Sequence, residues 1–363
     1  MAVLFDNRLQ VVLFGESHGK AIGVTISGLP SGIEIDYALI EAKLAARKAK
    51  AAAFSTPRFE EDKFEILSGV YDGKTTGEPL CAVCHNKNIR SEDYAKVNEF
   101  YRPGHADYSA AMRYKGFCDP RGGGHFSGRL TAPMVFAGAI AQSALAKYGI
   151  EIYSHIFKIK HITDKSVSDA GESEMKSIYN NPLPVIDKTI VPLLEELFEE
   201  YRRDKDSLGG IVETVVKNVR AGIGGTHAQS LESRLSSAMF AIPAVKGIEF
   251  GLGFGFAESS GKRAKDEIGI KDNKIYTLAN NNGGILGGIA NGEDIVFKVV
   301  FKSVSSIASE QMSVNRQSGQ EGVLKIEGRH DVCVVPRAVP VVESMTALTI
   351  LDGYLEALGY DGY

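Results

Sequence analysis

The chain has 363 residues, 44% of them hydrophobic and 24% charged, a balance ordinary for a globular protein with a sizeable core. Its 41 lysines and arginines against 45 aspartates and glutamates leave a net charge of −4, which argues against nucleic-acid binding through bulk basic charge. The N-terminus lacks a basic stretch followed by an apolar run. The longest apolar stretch, 132–146, contains Gln142 and Ser143 and is too short for a bilayer, so no membrane association and a cytoplasmic location are expected.

Residues 9–14 read as a strand that ends at Gly15. Asp36 is placed to cap a helix running through Leu39, Ile40 and Leu44 into an Ala/Lys-rich tail. A strand is expected over 64–70, followed by a turn at Tyr71-Asp72-Gly73. Cys81-Ala82-Val83-Cys84-His85 matches a haem-attachment spacing, but its apolar flanks read as a buried strand. No second ligand pair supports zinc, and no metal is expected. Pro133 opens a long apolar helix that ends near Gly149, and 150–162 alternates as a strand. Residues 192–204 carry a helical apolar face at Leu193, Leu194, Leu197 and Phe198, with a solvated charged side. Strands follow at 211–219 and 295–301, and a last helix over 341–358. Strands and helices do not alternate regularly, so an α+β fold with antiparallel sheets is favoured over a parallel doubly wound sheet. No flexible linker divides the chain, and one domain over 1–363 is expected.

The chemistry concentrates in loops. Arg102-Pro103-Gly104-His105-Ala106-Asp107 and Arg121-Gly122-Gly123-Gly124-His125-Phe126-Ser127-Gly128-Arg129 combine glycines with arginines and histidines. Glycine lets backbone N–H groups approach a ligand, arginine grips carboxylate or phosphate, and histidine moves protons near neutrality. That set suits a small, strongly anionic substrate whose reaction transfers a proton. Gly15-Glu16-Ser17-His18-Gly19 is no nucleophile elbow, because its glycines are misplaced about Ser17; His18 is the better proton or anion group. The run from Gly255 to Arg263 fails as a phosphate loop, and Gly251-Leu252-Gly253-Phe254-Gly255 lacks dinucleotide spacing. Lys302 and the hydroxyls of Ser303, Ser305 and Ser306 suit a phosphate tail. Gly328-Arg329-His330-Asp331 lies between a strand and the Pro-bounded run Val335-Pro336-Arg337; its carboxylate, flanked by His and Arg, is either a base held ionised or part of a structural salt bridge.

Taken together, and in this order, the chain resembles the chorismate synthase family. The resemblance rests on Gly15-Glu-Ser-His-Gly19, Arg102-Pro-Gly-His-Ala-Asp107, Arg121-Gly-Gly-Gly124, Ala244-Val-Lys-Gly247, Gly283-Gly-Ile-Leu-Gly-Gly288 and Gly328-Arg-His-Asp331. It implies a β-α-β sandwich, with helices held between two antiparallel sheets. It also implies anti-1,4-elimination of phosphate from 5-enolpyruvylshikimate-3-phosphate to chorismate, with reduced FMN and no net redox change, and a homotetramer. By the same resemblance, His18 would protonate or stabilise the leaving phosphate. His105 would control protonation at the flavin N1/O2 edge, and Asp331 would pass on the substrate proton near flavin N5. Ser17 and Ser127 would support them. Arg47, Arg102, Arg129 and Arg329 would bind phosphate and carboxylates. FMN contacts would come from His125, Phe126, Ser127, Pro243, Ala244, Gly287, Lys302, Ser303, Val304, Ser305, Ser306 and Arg329.

Four positions depart from the family pattern. Ala53 stands where a second arginine is usual, with Lys48, Lys50 and Arg58 nearby. His125-Phe126 replaces Arg-Ser, Pro243 replaces Asn, and Val332 replaces Pro. Two other functions stay open from the residues: a flavin-dependent oxidoreductase on a small anion, and a non-catalytic flavin or phosphoanion binder. NADPH and an external flavin reductase are both open as sources of electrons. The lack of a long insertion favours the external source.

Overall fold

In chain order the strands Ala2–Asp6 (β1), Gln10–Gly15 (β2), Ala21–Ser27 (β3), Phe64–Ser68 (β4) and Leu80–His85 (β5) form one antiparallel sheet, ordered β1-β2-β3-β5-β4. Glu151–Ile159 (β6), Ile162–Thr163 (β7), Gly210–Lys217 (β8), Val245–Phe250 (β9) and Ile295–Phe301 (β10) form a second, ordered β9-β10-β8-β6-β7 and also antiparallel. This computed structural model describes residues 2–48, 62–86, 99–326 and 331–361.

The main helices are Tyr37–Arg47 (α1), Asp107–Arg113 (α2), Thr131–Ala146 (α3), Val191–Arg203 (α4), Leu231–Phe240 (α5) and Val335–Asp361 (α6). Helix α3 touches β3 of the first sheet and β6 of the second, while α6 packs on β6 and β8 and α5 on β9. Helix α3 therefore lies between the sheets, with α1 and α6 packed against it. This is why α3 is apolar on all sides: a helix with protein around its whole circumference has no polar face to show. Gly138 lets α3 meet α6 closely, since a Cβ there would stand 2.2 Å from the Ser344 Cβ. The buried hydroxyls of Ser344, Thr346 and Thr349 return their hydrogens to carbonyls one turn back. One buried apolar cluster runs through both sheets and these helices. No helix among the described residues is long and apolar enough to cross a membrane.

Most expected elements are present, with shifted ends. Asp36 accepts from the Leu39 N–H at 2.8 Å and starts α1. The strand expected over 64–70 stops at Ser68, and Val70 belongs to a separate hairpin pair with Thr75. The strand expected over 150–162 is two strands joined by a tight turn at Lys160, whose φ is +53°. In α4 the buried face is Val191, Leu194, Leu197 and Phe198, and Leu193 is 52% exposed. The last helix begins six residues earlier than expected because Pro340 is accommodated inside it. Cys84 lies buried on β5 and His85 points outward, as a strand reading of that segment requires.

Candidate active site

The loops ahead of α2, α3 and α6, the α5–β9 connection and the end of β10 surround one cleft of about 680 Å³. That is room for a cofactor-sized ligand or two smaller ones.

Asp107, the first residue of α2, organises one wall. Its carboxylate accepts from Arg102 Nε at 2.8 Å, Arg102 Nη2 at 2.7 Å and the Arg102 backbone N–H at 3.0 Å. Arg316 Nη2 lies 3.1 Å from it, and His105 Nδ1 lies 2.6 Å from Oδ1. Burial opposes ionisation of Asp107, yet the hydrogen bonds from Arg102 and His105 outweigh it and hold the group well below the ordinary carboxylate range. A ring nitrogen that faces an ionised carboxylate carries the hydrogen. The His105 Nδ1 therefore donates to Asp107, which leaves Nε2 as the atom that exchanges protons. A Cβ on Gly123, in the loop opposite, would stand 3.5 Å from Nε2.

Gly122, Gly123 and Gly124 all have positive φ, at +65°, +132° and +54°. The need for glycine is sharpest at Gly122, where a Cβ would fall 2.1 Å from His18 Cε1. This loop thus lies directly on the His18 ring and carries the Gly15–Gly19 turn through Ser17 N–H to Gly124 O, 3.1 Å. His18 is 2% exposed, with its Nδ1 3.0 Å from Ser17 Oγ. Ser17 and His18 are one backbone thickness behind the cleft, which Gly122 lines.

A third group is built on Asp62. Arg47, the last residue of α1, places Nη2 2.7 Å from Asp62 Oδ2, and Nη1 donates to Thr131 Oγ1 at 3.1 Å. Arg129 pairs with the other Asp62 oxygen and donates from Nε to Asn86 Oδ1 at 3.2 Å. Burial pushes the Asp62 carboxyl up, but the two guanidiniums prevail and its pKa is lowered. Beside this cluster, Asp331 accepts from Arg337 Nη1 at 2.5 Å, and Arg337 Nε donates to the Arg47 carbonyl at 3.0 Å.

The far end suits an anion. Lys302 reaches the Gly104 carbonyl, and its own N–H donates to Ala244 O at 2.9 Å. Ala244 has φ +73°, a left-handed conformation that a Cβ makes costly and that strained ligand loops commonly hold. Lys246 also lines the cleft, beside the 302–306 segment.

Of the residues singled out from the sequence, Arg47, Arg102, His105, His125, Phe126, Ser127, Pro243, Ala244, Lys302, Ser303, Val304, Ser305, Ser306 and Asp331 all line this cleft. Arg129 stands behind it with Asp62. Gly287 does not reach it; it occupies the turn of a two-stranded hairpin, Ile285–Leu286 with Ile289–Ala290. Arg329, like Ala53, Lys50 and Arg58, lies outside the described residues. Sequence reasoning assigned no part to Asp62, Lys246 or Arg337, and none to Asp107 although it closes a quoted motif. Asp107 is legible as the acid two residues beyond His105; isolated Asp62 carries no such signal.

Fold and site together define an enzyme that binds strong anions and handles protons in a preformed cleft. The sequence model of the family described as chorismate synthase matches residues 9–355. A chorismate synthase of Dehalococcoides mccartyi is 43% identical over 350 residues, covering 96% of this chain and 95% of that one. One from Thermococcus kodakarensis is 43% identical over 354 residues, 98% of each. A crystal structure of a chorismate synthase superposes with a TM-score of 0.75 at 28% identity, over 97% of this chain and 92% of the other. The chain belongs to the chorismate synthase family. It is a phosphate lyase of the shikimate route to aromatic amino acids.

Proposed function

We propose that the cleft holds 5-enolpyruvylshikimate-3-phosphate together with reduced FMN, and that the reaction is anti-1,4-elimination of phosphate to chorismate. The observation that carries this reading is the meeting, in one cleft, of Arg47, of Arg102 and His105, of the Lys302–Ser306 segment and of Asp331, from four separate parts of the chain. The lining fits FMN: Lys302, Ser303, Ser305 and Ser306 offer a cation and hydroxyls to a phosphate tail. His125 and Phe126 offer flat rings, 4.3 Å apart, at the rim. When bound, the reduced flavin supplies electron density to a substrate that is losing phosphate and a hydrogen from a non-acidic carbon.

The chain's own groups bind, orient and move protons. Arg47 and Arg102 attract phosphate and carboxylates through charge-assisted hydrogen bonds. His105, fixed by Asp107, exchanges a proton at Nε2. His18, supported by Ser17 and lying behind Gly122, protonates or stabilises the departing phosphate. Asp331 takes up the proton lost from carbon. Ser127 accepts the Arg129 N–H at 3.2 Å and caps the short 3-10 turn Gly128–Leu130 that leads into α3. The electrons that keep the flavin reduced come from outside this chain, through a reductase or NADPH.

The test is anaerobic. The protein is incubated with the substrate and chemically reduced FMN, and chorismate absorbance is followed together with phosphate release. Equal release of both over many turnovers, with the flavin still reduced, is expected. No phosphate release from folded, flavin-bound protein overturns the reading, and stoichiometric consumption of NAD(P)H would favour an oxidoreductase. The same reading takes 1–363 as one domain, which a single cooperative melting transition tests. It also takes the protein as a homotetramer, supported by the exposed apolar hairpin of Ile268, Ile270 and Ile275; sedimentation equilibrium tests that.

A further inference from the structure

We propose that Arg337 is the positioning residue for Asp331, holding its carboxylate toward the reacting carbon; this rests on the elimination reading above. Among the described residues, Asp331 is the one carboxylate that lines the cleft, and every other charged side chain on that wall is cationic. An acid in such surroundings is drawn toward whichever guanidinium or ammonium is nearest. Its direction is therefore set by a cation that pairs with it and is itself tied to the fold.

Arg337 is that cation. Its Nη1 donates to Asp331 Oδ2 at 2.5 Å, and its Nε donates to the Arg47 carbonyl at 3.0 Å. The backbone N–H of Arg337 bonds to Val334 O in the first turn of α6, a helix that is buried for most of its length. The guanidinium is thus tied to the rigid ends of two core helices, α1 and α6. Asp331 sits on the loop ahead of α6 and takes its direction from that anchor. Arg337 occupies two nitrogens in these contacts and remains at the cleft wall, 23% exposed. A lysine could supply the charge but not the fork that spans a carboxylate and a carbonyl at once. The link also runs between substrate-binding and proton-handling groups, because Arg47 contributes its guanidinium to the Asp62 cluster and its carbonyl to Arg337.

The test compares wild type with R337Q, R337K, D331N and the double variant R337Q/D331N, using the full chain and reduced FMN. Steady-state kcat and KM are measured, with the primary isotope effect on substrate deuterated at the carbon that loses hydrogen. For R337Q the expectation is a loss in kcat on the order of 100-fold, as for a reacting group displaced by about 1 Å. KM should stay within about threefold, since ground-state binding is not removed. The isotope effect should rise, and the double variant should be no slower than D331N alone. R337K should fall between wild type and R337Q. A large rise in KM with kcat unchanged would make Arg337 a substrate contact and overturn the proposal, as would additive losses in the double variant. If thermal melting shows R337Q unfolded, R337K carries the same comparison. Absence of phosphate release from wild type would overturn the functional reading itself; a wild-type-like R337Q in an active enzyme would overturn this proposal alone.

Discussion

Replacing Gly122 by alanine should damage catalysis out of proportion to stability. Two costs can be separated. At φ +65° an L-residue sits in the left-handed region, which costs roughly 1–2 kcal/mol. The added Cβ would also lie 2.1 Å from His18 Cε1 and 2.3 Å from Nδ1, whereas ordinary contact begins near 3.4 Å. Either the ring or the glycine loop must therefore retreat by more than 1 Å. His18 is held by Ser17 Oγ at 3.0 Å and is buried, so it cannot swing into solvent. A displacement of that size at a reacting group costs on the order of 100-fold in rate, or about 2.7 kcal/mol of transition-state stabilisation. G73A is the control: Gly73 has φ +71° with nothing within 4 Å of a new Cβ, so it bears the conformational cost alone. Both variants are melted, and both are assayed for phosphate release and chorismate formation with reduced FMN. The expected result is a loss of stability from backbone strain in both, larger in G122A by the cost of moving the ring or the loop, with activity lost only in G122A. Wild-type kcat in a folded G122A would refute the placement of His18 against the departing phosphate.

The D107N variant should lower kcat on the order of 10²- to 10⁴-fold, the usual range for losing a correctly protonated acid–base group. His105 Nδ1 would then face an amide rather than a carboxylate, and NMR titration of His105 would show the change of tautomer. Acid should destabilise the protein through Asp62 and Asp107. Both have depressed pKa values, so their stabilisation is present above the unfolded value near ~4 and is lost as pH falls through the folded values. D62N and D107N should flatten that acid limb in pH-dependent melting. The sign is opposite at His155, buried on β6 between Asp164, at 2.8 Å, and Glu213, at 3.0 Å. Burial lowers its pKa, but hydrogen bonds to the two carboxylates prevail and raise it. Its contribution is therefore full below the unfolded value near ~6.5 and is lost as pH rises through the folded one. H155Q should lower stability by about 3–5 kcal/mol at neutral pH, as when one member of a buried ion cluster is removed. It should also erase the alkaline decline expected of wild type; an unchanged decline would exclude His155 as its source.

How much of this was readable beforehand follows from which physics each feature uses. Local rules located α1 from Asp36, α4 from its apolar period and β10 from its hydrophobic run, because caps and periodicity act over a few residues. The motif loops were legible because glycine with arginine and histidine has few purely structural uses. Position in space was not legible. Nothing near Asp62 in the chain announces that it joins Arg47, 15 residues earlier, to Arg129, 67 residues later. The helix expected over 341–358 starts later than α6 does, since helix rules disfavour proline inside a helix and Pro336 and Pro340 stand just ahead of that run. Pro336 falls in the first turn, where no N–H is needed, and the N–H that Pro340 lacks is offset by burial along α6.

The buried aspartates explain how a cleft can collect so many arginines and still fold. Like charges brought together without partners repel, and a buried guanidinium without a carboxylate is costly. Full pairing would solve the folding problem but would leave no net charge to attract a phosphate. The structure takes a middle course. Asp62 serves both Arg47 and Arg129, and Asp107 serves Arg102, Arg316 and His105. In each of these clusters cations outnumber the one carboxylate that holds them. The aspartates set the direction of each side chain before substrate arrives, and the uncompensated charge remains for the anion. Enough order is imposed that little side-chain freedom is lost on binding, which favours a substrate held in one orientation. Removing either aspartate should therefore harm orientation more than attraction. D62N should bind inorganic phosphate at least as tightly as wild type while turning over more slowly, and weaker phosphate binding in a folded D62N would contradict this account of the charge.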